Sequence, residues 1–90
     1  MEGEAVMMTP TVHSNGTSRE ELMKQLVEAI HAIDNARNAL ARARPNDRDY
    51  YPQGDRAIGE ALLEHTARMR SLCQVAEQLE WIAMAIDSSK

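Results

Sequence analysis

The sequence predicts an all-α protein: two long antiparallel helices in a helical hairpin, completing a four-helix bundle by oligomerisation. Three observations predict it. Apolar residues recur in alternating steps of four and three along two long stretches, the pattern of a helix lying lengthwise on another helix. A run of turn formers from Pro45 to Gly54 separates those stretches. The chain also has no Phe, one Trp and two Tyr. Its core must therefore come from Leu, Ile, Ala and Met, which suit helices better than a β-sandwich.

Residues 1–17 mix Met, Thr, Pro, Gly, Ser and Asn without periodicity and read as a flexible N-terminal arm. The acidic start, Met1-Glu2-Gly3-Glu4, lacks the long apolar run of a signal peptide. No apolar run approaches the roughly 18 residues of a membrane span. Residues 18–90 form the hairpin domain: a helix over about 19–43, a loop over about 45–54 and a helix over about 56–87.

Ser18-x-x-Glu21 has the spacing of a capping box, in which each side chain satisfies an orphan amide of the first turn. Thr17 with Glu20 is the competing start. The seam then runs Leu22, Leu26, Ala29, Ile33, Ala36, Leu40 and Ala43. Arg42 and Arg44 suit the negative end of the helix dipole, and Pro45 stops the helix. Asp55 is placed to cap the second helix. Its seam is Ile58, Leu62, His65, Met69, Leu72, Ala76, Leu79, Ala83 and Ile86. At 1.5 Å per residue the helices span roughly 37 Å and roughly 45 Å.

The stripe is not uniform. Met23, Val27 and Ile30 widen it in the first helix, and Val75 and Ile82 widen it in the second. A hairpin brings these halves side by side, far from the loop, where one partner helix cannot cover them. Chains too small to close a core recruit another subunit. The interface candidates are Leu22, Leu26, Ile30, Ile33, Leu72, Val75, Leu79, Trp81, Ile82 and Ile86. Trp81 lies opposite the seam. Either it packs on the arm, against Val6, Met7, Met8 and Val12, or it makes a second interface. The loop-proximal half is thin, with Ala36, Ala39, Ala41, Ala43, Ala57, Gly59 and Ala61.

Chemistry is sparse. Glu28-x-x-His31 has the spacing of di-iron bundles, but both residues face away from the seam and the second helix has no matching pair. His65 occupies a seam position, where it either fixes register or acts as a ligand or proton donor. Cys73 is the only cysteine, so no internal disulfide forms and a reducing cytoplasm is the simplest compartment. Gly54 and Gly59 are isolated, so no phosphate loop is visible. No catalytic residue, metal or cofactor is expected.

The hairpin tip is the remaining candidate. Arg37, Arg42, Arg44, Arg48 and Arg56 gather there against Asp47, Asp49 and Asp55. The binding candidates are Arg44, Arg48, Tyr50, Tyr51, Gln53 and Arg56, because Arg and Tyr dominate hot spots and Arg suits phosphate and carboxylate. In the competing picture Tyr rings cover the helix ends and Arg–Asp pairs decorate the surface. The net charge of −4 argues against general nucleic-acid binding.

The segment Arg48-Asp49-Tyr50-Tyr51-Pro52-Gln53-Gly54, with Glu64-His65-x-x-Arg68 and the Leu79–Ile86 ending, resembles small phage and prophage helical proteins that mostly lack an assigned function. The likeness covers about half the chain. It implies a phage-related origin and an accessory or host-interacting role in the host cytoplasm, and it transfers no catalytic residue. The expected function is therefore a non-enzymatic interaction protein, oligomeric, binding a host or phage protein. The alternative is a sequestering protein that holds a small anion or nucleotide at the tip.

Overall fold

The computed structural model describes residues 7–88. Val6 and the Met1–Glu4 start lie outside the described residues. Two long helices make the fold: α1 over Arg19–Arg42 and α2 over Ala57–Ser88. Between them lie two short 3-10 turns, Asp47–Asp49 and Tyr51–Gln53. No strand occurs among the described residues.

Ser18 starts α1. Its backbone is extended and its hydroxyl accepts from the Glu21 amide at 3.1 Å. Only half of the expected capping box forms. The Glu21 carboxylate turns forward instead and accepts from Gln25 Nε2 at 3.2 Å. The Ala43 amide, donating to the Leu40 carbonyl at 2.9 Å, closes the last turn, and Arg44 donates to Ala41. Such tightened bonds use up carbonyls that have no partner further along the helix.

Asp55 does not cap α2. The Glu60 amide donates to the Arg56 carbonyl at 3.1 Å, which makes Arg56 the residue flanking the first helical one. Asp55 stands one position too early, in a turn that Ala57 closes on the Gly54 carbonyl. Gly54 has φ of 116°, a conformation that a residue with a Cβ adopts only with strain.

The helices run antiparallel. At the end far from the loop, Arg19 meets Ile86. Nearer the loop, Met69 shares a crevice with Asp34, Arg37, Asn38 and Ala41. On α2 every expected seam position is at least half-buried, with His65, Ala76 and Ile86 buried, and Ala61 next to the seam is buried as well. On α1 the expected seam needs correction. Leu22, Leu26, Ala29, Ile33 and Leu40 are half-buried, but Ala36 and Ala43 are exposed. Met23, Ile30 and Arg37, seven residues apart on one line, are half-buried in addition. The helix is rolled toward that line because long side chains cover more apolar surface than an alanine methyl can. Arg37 contributes its aliphatic stem and is held by Asp34, 3.2 Å away.

The hairpin closes very little core. No described residue of α1 is fully buried. The accessible surface is 6956 Å², against about 5,300 Å² for a compact monomer of this mass. The radius of gyration is 18.6 Å, where about 12 Å describes a compact chain of this length. No described helix is long and apolar enough to cross a membrane.

Candidate functional site

The tip is built by backbone turns. Tyr50 closes the first 3-10 turn, its amide donating to Asp47 at 3.0 Å, and its carbonyl accepts from Gln53 at 2.9 Å to open the second. Pro52 sits at the start of that second turn, where a fixed φ costs nothing and a missing N–H is not needed. The two tyrosines therefore part company. Tyr50 is half-buried, whereas Tyr51 is 67% exposed.

Arg44, Arg48 and Arg56 are all exposed. Among the described residues no ion pair reaches them; the pairs formed are Arg37–Asp34 at 3.2 Å and Arg68–Glu64 at 3.7 Å, both along helix faces. The picture of a tip tied down by Arg–Asp pairs thus loses its pairs, although Tyr50 does tuck in. A shallow, open depression of about 400 Å³ is lined by Gln53, Gly54, Asp55, Arg56, Ala57 and Glu60. Of the six sequence candidates it brings together Gln53 and Arg56. Arg44, Arg48, Tyr50 and Tyr51 do not line it.

A second crevice, of about 390 Å³, lies on the hairpin's flank between Asp34, Arg37, Asn38, Ala41 and Met69. Sequence reasoning missed it, because it depends on the roll of α1 that brings Arg37 inward. Arg37 Nη1 pairs with Asp34, while Nε is buried without a hydrogen-bond partner among the described residues.

At the distal end, Leu22, Leu26, Ile30, Ile33, Leu72, Leu79 and Ile82 are half-buried, and Val75 and Trp81 are exposed. Ile86 is different: at 2% exposure it is used within the chain. Val27, expected to widen the stripe, is exposed, as are Met84 and Leu63, and Leu63 alone escaped the sequence reading. Leu63 and Trp81 are 18 residues apart, five whole turns, so they share one face of α2. That spacing was readable. Trp81 is 56% exposed and Met8 of the arm is 88% exposed, so Met8 does not shield the indole within one molecule, while Met7 and Val12 of the arm are half-buried.

Glu28 and His31 are both exposed. Among the described residues no three His, Cys, Asp or Glu side chains converge as a metal site requires. His65 is 7% exposed, and its ring makes no hydrogen bond to a described residue, so it sits in the seam as a polar residue with an apolar job. Cys73 is a half-buried free thiol. Set against known proteins, the chain matches no family model, no curated protein and no solved structure.

Proposed function

We propose that this chain is a non-enzymatic interaction protein that works as an oligomer of helical hairpins, a dimer forming a four-helix bundle being the simplest. One observation carries the reading: no described residue of α1 is fully buried, and the elongated hairpin keeps an accessible surface of 6956 Å² against about 5,300 Å² for a compact monomer of this mass. A standard interface takes only about 800 Å² from each partner. The apolar residues that contribute to this surface, Val27 and Val75 among them, flank the distal half of the seam. The tip stays free in such an arrangement and engages a host or phage protein, the class of partner that the phage-protein resemblance suggests. The free thiol of Cys73 is in keeping with work in a reducing cytoplasm.

Light scattering at micromolar concentration tests the assembly, and a stable monomer would overturn it. Capture from host lysate with wild type, Trp81→Ala and Tyr51→Ala tests the partner surfaces. Equal capture by all three removes both of them.

A second reading is favoured by Arg44, Arg48 and Arg56, which form no ion pair among the described residues, and by an exposed Tyr51. Guanidinium groups with no carboxylate partner suit a phosphate, and an exposed ring offers a stacking face. On this reading the oligomer sequesters a small anion or nucleotide at its tips. Thermal-shift measurement against nucleotides and cyclic nucleotides decides it; no stabilisation at millimolar ligand sinks it.

A further inference from the structure

The end of α2 far from the loop presents a different surface from the tip. Trp81 is 56% exposed there and Met84 is 67% exposed. Three exposed carboxylates stand around them: Glu77, Glu80 and Asp87. Glu77 is four residues before Trp81, Glu80 is four before Met84, and Asp87 is three after Met84. Residues at those spacings are neighbours on a helix surface, so the five side chains make one continuous patch. Among the described residues none of the three carboxylates has an ion-pair partner. From Ser71 to Ser88 the chain holds no Lys or Arg. Arg19 brings a cation to this end, but its guanidinium is held at the Ile86 carbonyl, about 140° around the helix from Trp81.

We propose that this patch docks a basic amphipathic segment of a partner protein: a helix with apolar side chains along one line and Lys or Arg beside it. This rests on the reading of the chain as an interaction protein, and it names the chemistry of a partner at a face separate from the tip. Charge selects the occupant. A phosphate backbone or an anionic lipid surface brings negative charge against Glu77, Glu80 and Asp87. A purely apolar segment leaves the three carboxylates at its edge without a partner. A cationic amphipathic segment answers both parts of the patch. Its apolar line covers Trp81 and Met84, where burial carries the affinity. Its cations reach the carboxylates at the rim, where charge sets orientation and encounter rate. The indole also offers a face to a guanidinium, and the unbranched Met84 adapts to the shape laid on it. Helical segments dock through anchors three and four residues apart, the same spacing that the patch presents.

The probe is a labelled synthetic helix of about 18 residues, or five turns, with Leu on one face and Lys on the other. A second probe carries Glu in place of Lys. Fluorescence anisotropy with the full chain gives the affinities at about 0.15 M salt, where exposed charges more than about 8 Å apart are screened. The Lys peptide should bind and shift the emission of Trp81, the sole tryptophan, toward the blue. Replacing Glu77 and Glu80 together with Lys should weaken it about tenfold, the sum of small changes at exposed pairs. Replacing Glu60 and Glu64 together with Lys makes the same change in net charge at the other end of α2 and should weaken it less than about twofold. Equal weakening by the two pairs would reduce the effect to net charge and overturn the site. So would equal binding of the two peptides, no binding of the Lys peptide, or a Trp81 emission that stays put at saturation. Emission already blue without peptide, moving to the red on dilution, gives the face to a second copy and overturns the proposal as well. Light scattering and the Tyr51→Ala capture read the assembly and the tip separately, so a failure here leaves those readings standing.

Discussion

The guanidinium of Arg19, the first residue of α1, donates to the carbonyl of Ile86 two residues before the end of α2, across 67 positions of sequence. It also reaches the Asp87 carbonyl at 3.5 Å. One side chain therefore begins one helix and finishes the other. It supplies a cation where the α2 dipole is negative.

Replacing Arg19 with Ala should cost about 1–2 kcal/mol, the range for a charge-assisted bond with a dipole contribution. Arg19→Lys should recover only part of it, because both contacts leave from Nη1, a position the shorter lysine stem does not reach with its ammonium. Urea denaturation followed by circular dichroism checks both. A loss below about 0.3 kcal/mol for Arg19→Ala would mean that water replaces the contact.

Ser18→Ala removes the acceptor of the Glu21 amide and should cost about 1 kcal/mol, with Ser18→Asp near wild type. Thr17→Ala should change little, since Thr17 does not cap. The same denaturation series separates the two positions.

Gly54→Ala should destabilise the chain by about 1–3 kcal/mol. An added Cβ would meet no atom within 4 Å, so the cost comes from φ of 116° alone. Gly59→Ala, at the third residue of α2 with open space around it, should stabilise by up to about 1 kcal/mol. Opposite signs at two glycines five residues apart make this a sharp comparison of melting temperatures.

His65→Leu should be neutral or stabilising by up to about 1 kcal/mol, because no hydrogen bond to the ring is lost and apolar area is gained. If His65 serves a ligand or a proton transfer instead, the variant will fold well and lose function, which the capture and thermal-shift assays read. Replacing Arg44, Arg48 and Arg56 together with Ala should leave stability within about 0.5 kcal/mol per site while removing tip binding in either functional reading.

The periodic residues made most of this fold legible. Leu, Ile and Met at steps of four and three placed α2, described over Ala57–Ser88, and every one of its seam positions is at least half-buried. Ser18 marked the start of α1 because its hydroxyl chemistry is local. The failures have a common physical origin. Which line of α1 turns inward is decided by the depth of side chains on both helices, so Arg37 displaced Ala36 although a charge in a sequence pattern reads as outward. Asp55 looked like a cap because its chemistry fits, but the cap position is set by where the preceding turn releases the chain. At the tip, the residue types were visible while their division was not: two adjacent tyrosines lie on different sides of a turn whose geometry the sequence only hints at.

The Arg19–Ile86 contact also fixes how the molecule yields to force. The chain enters α1 and leaves α2 at one end, so tension applied at residues 18 and 88 peels the helices apart like a zipper instead of sliding them past each other. In that loading direction each turn of the seam carries the strain alone, one after another. The guanidinium clasp is the first element to open, and the tyrosine turn at the far end is the last to feel the pull.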